Sequence, residues 1–258
     1  MISFSIVTVT YNAESVLQPT LDSVYQQTYG AVEHIIIDGA SHDATLQQAY
    51  TYRQQSAQQH TGHEVKIISE PDDGLYFAMN KGIDTATGDY ILFLNAGDRF
   101  PGPDTLDMVA ASVGDDETLP GVLYGDTDIV DAKGHFLRHR RLSPPERLTW
   151  KSFQMGMLVC HQAFYARTDL AKATPFDTSY RYSADVDWCI RVMKAAATSH
   201  LTLRHVHCVV ALFLDGGMTT SHHRASLRER FQVMRRHYGL PVTVAMHLWF
   251  VLRGILHR

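Results

Sequence analysis

The chain has 258 residues, of which 45% are hydrophobic and 19% charged, and its formal net charge at neutral pH is -4. This composition is typical of one large globular domain, with or without an appended subdomain, and argues against a general nucleic-acid-binding protein. Cys160, Cys189 and Cys208 are widely spaced without a CxxC pair, which indicates reduced structural thiols and a cytoplasmic protein. The segment after Met1 lacks the pattern of a secretory signal, so we expect the mature chain to start there.

The first hundred residues alternate between strand-like and helix-like segments. Hydrophobic runs predict strands over 4–10, 34–38, 65–69 and 90–94, and the segments between them predict helices over 15–27, 43–59 and 75–85. This order predicts an α/β fold with a Rossmann-like, mixed and mostly parallel sheet, flanked by helices and joined by right-handed crossovers. The remaining chain adds C-terminal helices.

Polar residues follow each predicted strand. The fourth strand shows this most clearly, because the segment YILFLNAGD from Tyr90 to Asp98 ends an apolar run with an amide, a glycine and a carboxylate. Ligands of open α/β sheets bind at the carboxyl ends of the strands, so these polar residues mark the expected site. No GxGxxG fingerprint follows the first strand and no GxxxxGK[ST] loop occurs, which argues against both common phosphate-binding motifs.

Five sequence blocks, in this order and spacing, resemble family 2 glycosyltransferases with the GT-A fold, especially those of bacterial exopolysaccharide and lipopolysaccharide biosynthesis. The blocks are SIVTVTYNAE (5–14), IIIDGASHD (35–43), 69–98, CHQAFY (160–165) and SADVDWCIRV (183–192). The resemblance implies an inverting enzyme that moves a sugar from a nucleotide-diphosphate sugar, with UDP favoured, to a saccharide acceptor that we expect to be lipid-linked. It also implies a GT-A domain over 1–220, divided into a nucleotide-sugar half (1–103) and an acceptor half (104–220), and a helical extension over 221–258.

The resemblance assigns the nucleotide-sugar site to residues of the first three blocks. Asp38 matches the position that bonds the ring N–H of uracil, because a carboxylate only accepts hydrogen bonds. The alternative for Asp38 is an Asx-turn or helix cap, a role that we expect Asp43 to fill. Lys81 offers either a charge to phosphate or a solvated surface side chain, and Thr8 either lines the pocket or packs inside a strand. The site also includes Tyr11, Glu14, Asp72, Asn80, Asn95 and Gly97.

The resemblance places a divalent metal, Mn²⁺ or Mg²⁺, at Asp98. Many relatives read Asp-x-Asp here, whereas this chain has Asn95-Ala96-Gly97-Asp98, so only the last carboxylate remains. A hard cation completes its shell with water and phosphate oxygens, so one carboxylate suffices. His222, in a Gly-Gly-containing segment that resembles a lid, is a candidate further ligand. The other Asp-x-Asp, Asp126 to Asp128, follows a short strand-like run, and we expect it to be structural or acceptor-lining.

Asp185 matches the catalytic base of similar enzymes, which takes the proton of the acceptor hydroxyl. Ala184 stands where a Glu is common, and Asp187, two residues on, is a backup base near the acceptor or donor sugar. The structural alternative for both acids is stabilisation of a helix start. His161 and Gln162 match a block near the acceptor or donor sugar, with a buried histidine as the alternative. The histidines around Cys208 lack the spacing of a common zinc motif, which argues against zinc.

The C-terminal segment 239–252 is uncharged and too short to span a bilayer comfortably. With the arginines before it, it is typical either of a peripheral helix on an anionic membrane surface or of a helix packed on the core or in a homodimer. Two other functions share some of these features. They are a sugar-nucleotide nucleotidyltransferase, disfavoured by the missing phosphate loop, and a non-catalytic nucleotide-sugar-binding protein.

Overall fold

The computed structural model describes residues 1–59, 61–114, 118–216 and 223–256. The strands are β1 (Phe4–Thr10), β2 (Val32–Asp38), β3 (Glu64–Ser69), β4 (Tyr90–Phe93), β5 (Val122–Val130), β6 (Phe136–His139), β7 (Phe164–Arg167) and β8 (Leu203–Leu214). The α-helices are α1 (Leu17–Tyr25), α2 (Thr45–Gln59), α3 (Leu75–Thr85), α4 (Thr105–Ala111), α5 (Thr168–Ala173), α6 (Ala184–Thr198), α7 (His223–Tyr238) and α8 (Leu240–Leu256). Short 3₁₀ helices cover Trp150–Met155 and His161–Ala163.

The described strands form one mixed sheet in the order β3-β2-β1-β4-β7-β5-β6, and β8 pairs with β5 outside this path. The first four strands are parallel, as predicted, whereas β7 runs antiparallel to both β4 and β5. Helices connect the parallel strands, so the carboxyl ends of β1 to β4 meet at one edge. The α/β class and the mostly parallel sheet predicted from the sequence are confirmed.

The inner parallel strands β1, β2 and β4 are buried, whereas β3, at the edge of the sheet, is only partly buried. Every residue of β1 and β2 is buried, as expected for strands covered by helices on each side. Helix α3 packs closely on this sheet at Gly82, where a Cβ atom would lie 2.4 Å from Val7 Cγ1. The small size of Gly82 therefore serves the contact with β1.

Strand β5 is longer than the short apolar run in the sequence predicts. It continues through Asp126 and Asp128 to Val130, with β8 paired along most of its length. Asp128 pairs with His139 across β5 and β6 at 2.7 Å. The Asp-x-Asp pair therefore lies within a strand rather than in a loop after one.

The described part of the C-terminal extension is helical, and α7 packs on the rest of the protein. Val233 of α7 is fully buried in the main core, and the Tyr238 hydroxyl donates to the Trp150 carbonyl at 2.6 Å. Helix α8 instead leaves several apolar side chains exposed. None of the helices in the described ranges is long and apolar enough to cross a membrane.

Candidate active site

Asp38 connects the carboxyl ends of three strands. Its side chain is fully buried and accepts hydrogen bonds from the Ser69 hydroxyl at 2.7 Å, the Thr10 hydroxyl at 3.3 Å, and the backbone N–H and hydroxyl of Ser41. The Ser41 contacts form the Asx-turn that the sequence left open as an alternative to base recognition. Asp43 accepts the N–H of Thr45 at the start of α2, which confirms its predicted capping role.

Tyr11 and Asp72 flank Gly39 on the accessible side of this edge. A Cβ atom on Gly39 would lie 2.8 Å from Asp72 Oδ2 and 3.3 Å from Tyr11 Cδ2, so both side chains lie directly over the glycine. Asp72 Oδ1 accepts the N–H of Gly74 at 2.8 Å, and 64% of Tyr11 is exposed. An exposed aromatic ring beside a carboxylate provides a stacking surface and a hydrogen-bond acceptor for a base.

Thr8 and Glu14 have structural partners. Thr8 is fully buried within β1, and its hydroxyl donates to the Leu94 carbonyl at 2.8 Å and contacts His34 Nε2 at 2.9 Å. The Glu14 carboxylate accepts the N–H of Ala44 at 2.8 Å, next to the start of α2. Thr8 therefore packs inside the sheet, the alternative that the sequence left open, and Glu14 joins the loops after β1 and β2.

Asn80 and Lys81 of α3 also have partners in the protein. The Asn80 amide exchanges two hydrogen bonds with the backbone of Phe176, at 2.8 and 3.0 Å, and so fixes the segment before α6. Lys81 Nζ lies 2.8 Å from Glu70 Oε1 at the end of β3. The structure thus gives Asn80 a structural role, and a phosphate contact by Lys81 requires it to leave Glu70.

Asp98 follows β4 and has a polar partner for each carboxylate oxygen. Oδ2 accepts from Gln162 Nε2 at 2.7 Å, and Oδ1 accepts the N–H of Leu214, at the end of β8, at 3.0 Å. Only 4% of the residue is exposed, and this burial raises the pKa of Asp98 to about 6 although both hydrogen bonds oppose the shift. The carboxylate therefore lacks a full counter-charge.

The turn that carries Asp98 requires a glycine. Gly97 has a φ of 101°, and a Cβ atom there would lie 2.6 Å from Leu214 Cδ2. The Thr20 hydroxyl accepts the N–H of Gly97 at 2.9 Å and donates to the Asp98 carbonyl at 2.7 Å. The buried Oδ1 of Asn95, in the same turn, has no hydrogen-bond partner among the described residues.

Asp185 lies in the first turn of α6 and faces the same turn through His161. His161 Nδ1 lies 3.4 Å from Asp185 Oδ2, and His161 Nε2 lies 3.2 Å from the Asn95 amide. Donation by the amide to Nε2 leaves the ring proton on Nδ1, which faces the carboxylate. Burial is the largest effect and raises the pKa of Asp185, but His161, Arg230 and the N–H of Val186 together lower it by more, so the net shift of the pKa is downward. Asp185 is thus a carboxylate at neutral pH.

Two contacts of this site were not predicted from the sequence. The Tyr76 hydroxyl donates to Asp185 Oδ1 at 3.3 Å, and the Cys160 thiol donates to Gln162 Oε1 at 2.7 Å. Tyr76 lies in the third sequence block (69–98), but its distance from Asp185 along the sequence does not predict the contact. Burial raises the pKa of Cys160 to about 11, so this cysteine is a thiol, in agreement with the predicted structural role.

Asp187 points away from this site. It is fully buried, and its carboxylate binds Arg191 Nε at 2.6 Å and His237 Nε2 at 2.7 Å. The contact with His237 fixes α7 to α6. The expectation that Asp187 lies near the acceptor as a backup base is therefore corrected to a structural role. His222 and most of the predicted lid, 217–222, lie outside the described residues.

Comparison with known proteins decides the family. The sequence profile of Glycosyl transferase family 2 matches residues 5–173. The chain belongs to this family. It is 36% identical over 220 residues to the PGL/p-HBAD biosynthesis glycosyltransferase of Mycobacterium bovis (strain BCG / Pasteur 1173P2), an alignment that covers 84% of this chain and 79% of that protein.

Solved structures show that this glycosyltransferase has the predicted GT-A fold. S. aureus TarS 1-349 in complex with UDP-GlcNAc superposes with a TM-score of 0.70 and 19% identity, covering 91% of this chain and 65% of that chain. The mannosyltransferase PcManGT from Pyrobaculum calidifontis, in complex with GDP-Man and Mn²⁺, superposes with a TM-score of 0.61 and 17% identity, covering 95% and 74% of the two chains. This glycosyltransferase thus spans about two-thirds of the TarS chain.

Proposed function

We propose that this glycosyltransferase transfers a sugar from a UDP-sugar to a hydroxyl of a saccharide acceptor with inversion, and that Asp185 is its catalytic base. The observation that carries the proposal is the chain of contacts from the ionised Asp185 through His161 to the turn that holds Asp98. Inversion by one displacement needs a base on the acceptor side and charge neutralisation on the leaving-group side. The His161 imidazole lies between Asp185 and the turn that carries Asp98, so the two acids are separated as these two roles require.

In this proposal the donor base binds at Tyr11 and Asp72. The ring of Tyr11 offers a stacking face, and Asp72 Oδ2 accepts the ring N–H of uracil. Asp38 supports this pocket indirectly, because its hydrogen bonds hold the ends of β1, β2 and β3 together. The proposal of UDP is supported by the complex of the S. aureus neighbour with UDP-GlcNAc, while the GDP-Man complex of the archaeal neighbour makes GDP the competing donor.

The residues present fit a divalent cation at Asp98. The buried Asp98 carboxylate has a raised pKa, and the amide oxygen of Asn95 in the same turn has no partner among the residues that the structure describes. Both are hard oxygen donors of the type that Mg²⁺ and Mn²⁺ prefer. Asp98 and Asn95 would hold the metal. When bound, the cation neutralises charge on the departing diphosphate. Gln162 and the N–H of Leu214 orient the Asp98 carboxylate for this role.

Asp185 takes the proton of the acceptor hydroxyl as that oxygen attacks the anomeric carbon. Its contacts with Tyr76 and His161 fix the direction of the carboxylate, and His161 lowers its pKa, so it is unprotonated before the acceptor binds. The proposal places the acceptor on the Asp185 side of the sheet edge.

Helix α8 is proposed to lie on an anionic membrane surface and so to bring the enzyme to a lipid-linked acceptor on the cytoplasmic side. Six of its apolar side chains are between 42% and 62% exposed. They are Leu240, Val244, Leu248, Trp249, Val251 and Leu252. Exposed arginines of the preceding helix, Arg224, Arg228 and Arg235, supply positive charge in the same C-terminal extension. An apolar helix face beside cationic side chains is the pattern of interfacial helices.

A donor screen tests the proposed reaction. We expect UDP-sugars to raise the melting temperature in the presence of Mn²⁺ and to be turned over when a saccharide acceptor is supplied, with GDP-sugars as the comparison. Asp185→Asn should keep UDP affinity and lose at least about 100-fold of the transfer rate. If the chain binds UDP and transfers no sugar, it is a non-catalytic binding protein. The same conclusion follows if Asp185→Asn leaves the measured transfer unchanged. If no nucleotide sugar stabilises the chain, the proposal fails.

Vesicle sedimentation tests the membrane contact separately. We expect the chain to sediment with vesicles containing anionic phospholipid and to remain in solution with vesicles of phosphatidylcholine alone. Leu248→Glu in α8 should reduce sedimentation, whereas Leu137→Glu, at another exposed apolar residue, should not. If Leu248→Glu changes the molar mass in light scattering and not vesicle binding, this face is a dimer interface.

A further inference from the structure

A second cluster of ligand-type side chains lies in the first half of β8, away from the candidate active site. The pairing of β5 with β8 shifts here, because Tyr124 is opposite His205 and Asp126 is opposite Val209. Two residues of β5 thus face four of β8, and His207, within this bulge, has a φ of 60°. A histidine in the left-handed region inside a strand is uncommon, and bulges redirect side chains.

The His205 ring is nine-tenths buried and makes no hydrogen bond to any described residue. It stacks on the Tyr124 ring, with centroids 5.0 Å apart and planes 6° from parallel, and only 10% of the side chain is exposed. Neither ring nitrogen has a hydrogen-bond partner in the described part of the chain, although both are inaccessible to solvent. Buried polar groups of this kind are almost always satisfied, so the missing partners indicate a ligand.

Carboxylates face both ring nitrogens of His205. Glu146 Oε2 lies 3.8 Å from Nδ1, and Asp126 Oδ2 lies 3.8 Å from Nε2. Glu146 Oε1 also lies 3.6 Å from His207 Nε2, so the glutamate contacts both histidines. These distances exceed a hydrogen bond, which leaves a gap between the groups rather than a closed network.

The backbone at Glu146 is held in place beside the cluster. Its carbonyl accepts a hydrogen bond from the Tyr124 hydroxyl at 3.0 Å, on the same ring that stacks on His205. One ligand atom from each of Glu146, His205 and His207 lies within 4.8 Å of the others. The Glu146 and His207 side chains are 74% and 61% exposed, so both can adjust towards a common centre.

We propose that Glu146, His205 and His207 bind a divalent transition-metal ion, with Zn²⁺ as the preferred ion at physiological availability. Two imidazoles and one carboxylate are three of the four ligands of a tetrahedral zinc site, and the exposed side leaves the fourth position to water. Nitrogen-rich ligands disfavour Mg²⁺ and Mn²⁺ relative to Zn²⁺, so the site differs in ion preference from Asp98. Asp126 Oδ2, 3.8 Å from Nε2 of His205, would accept the Nε2 proton and hold this ring in place when Nδ1 binds the ion.

The bound ion would connect β8 to the segment that precedes the first 3₁₀ helix. Glu146 belongs to the chain between β6 and Trp150–Met155, whereas both histidines belong to β8. The linkage fixes a surface cleft of about 600 Å³ whose lining includes Glu146, His205 and His207. Neither Asp98 nor Asp185 belongs to this lining, so the ion is assigned a structural role apart from sugar transfer.

Zinc titration of the full, untagged chain tests this site. We expect isothermal titration with Zn²⁺ alone to give one equivalent bound, and His207→Ala or Glu146→Gln to weaken the affinity at least about tenfold. The control is His135→Ala, which removes another exposed histidine, one that contacts Asp131 instead. Asp98→Asn should leave the Zn²⁺ affinity unchanged, because it affects only the donor-side metal.

Cobalt provides a second readout. Co²⁺ substituted at this site should show the visible absorption of a tetrahedral complex, and His207→Ala should abolish it. His207 is exposed, so this variant is expected to fold, and its melting temperature without metal should equal that of the unsubstituted chain. Equal Zn²⁺ affinities of His207→Ala and His135→Ala, or no binding by the unsubstituted chain, would overturn the proposal.

Discussion

His161 Nδ1 lies 3.4 Å from Asp185 Oδ2, so this histidine sets both the orientation and the pKa of the proposed base. Burial alone raises the pKa of Asp185, and the His161 contact is the main effect that brings it below its ordinary value. Because the imidazole also contacts Asn95, it connects the base to the turn that carries Asp98.

His161→Ala is expected to move the acidic limb of the kcat profile to higher pH. Without the imidazole, burial dominates and the pKa of Asp185 rises, so a larger fraction of the base is protonated in weakly acidic solution. The measurement is kcat against pH for the variant and the unsubstituted enzyme, with His139→Ala, at an exposed histidine, as the control. A lower kcat with an unmoved acidic limb would contradict an effect through Asp185.

Asp187→Asn is expected to destabilise the protein without removing transfer. The fully buried carboxylate pairs with Arg191 and His237, and disrupting a buried ion pair leaves uncompensated charge, at a cost of roughly 3 kcal/mol. Urea unfolding measures this loss, and activity per folded molecule should stay within about twofold. Asp185→Asn should show the opposite behaviour, near-normal stability with lost transfer. A lower transfer rate of the folded Asp187→Asn variant would contradict the structural role and show that Asp187 acts in catalysis.

Mn²⁺ binding at Asp98 is expected to strengthen as pH rises through about 6, the pKa to which burial raises this carboxyl. A cation needs the ionised form, so Mn²⁺ competes with the proton below that pH. In the metal-free protein, the stability contributed by Asp98 changes with pH in the opposite direction. The folded pKa lies above the unfolded value of 3.8, so this group contributes stability at low pH that is lost as pH rises towards 6.

Thermal unfolding with UDP, with and without Mn²⁺, measures this effect across the pH range. We expect the Mn²⁺-dependent shift in melting temperature to be small at about pH 5 and to increase towards neutral pH. Asp98→Asn should abolish the pH-dependent part. A shift that does not change between these pH values would exclude Asp98 as the ligand that titrates.

The sequence predicted the parallel half of the fold well, because its strands are continuous apolar runs. The predicted bounds of β1 and α3 agree with the structure residue by residue. Strand β5 was predicted too short because Asp126 and Asp128 are polar, yet pairing with β6 and β8 holds them in the strand. Periodicity does not contain this information, because it depends on neighbours distant in sequence.

Motif matching was less informative about individual side chains. The block that contains Thr8 and Glu14 marks the correct edge of the sheet, but a block does not tell which of its residues face solvent. Thr8 lies within β1 and is fully buried, whereas Tyr11 follows the end of the strand and is exposed. The cluster at Glu146, His205 and His207 was missed for a different reason. A bulge in β8 brings its histidines close to a glutamate from another segment, and the spacing of residues along the sequence does not predict this contact.

Gly39→Ala is expected to weaken donor binding. The new Cβ atom would lie 2.8 Å from Asp72 Oδ2 and 3.3 Å from Tyr11 Cδ2, so both side chains must move from their positions over the glycine. We expect KM for the donor and the Kd for UDP to rise about tenfold with kcat nearly unchanged, since the altered contacts lie at the base. Gly30→Ala is the matched control, because no atom lies within 4 Å of its added Cβ. Equal donor affinities of the two variants would show that the donor base does not bind at Tyr11 and Asp72.

Glu33→Gln is expected to lower stability at neutral pH and to matter less in acid. Glu33 is 5% exposed and accepts hydrogen bonds from Lys66 Nζ at 2.7 Å and from the Thr87 hydroxyl and Gly88 N–H, both at 2.9 Å. Burial raises the pKa of Glu33, but hydrogen bonds from Lys66, Ser5 and Thr87 outweigh burial and lower it from 4.5 to about 2. The ionised carboxylate therefore contributes stability above about pH 4.5 that is lost as pH falls towards 2.

Urea unfolding of Glu33→Gln should show a loss of roughly 2 kcal/mol at neutral pH, because the amide replaces a charged acceptor by a neutral one beside buried donors. Glu64→Gln is the control, since Glu64 lies 3.5 Å from the same lysine but is 66% exposed, and it should cost less than about 1 kcal/mol. The difference between Glu33→Gln and the unsubstituted chain should shrink steadily as pH falls below about 4.5, where the glutamate of the unfolded chain becomes protonated. A difference that is constant down to about pH 3 would show that Glu33 acts through packing and not through its charge.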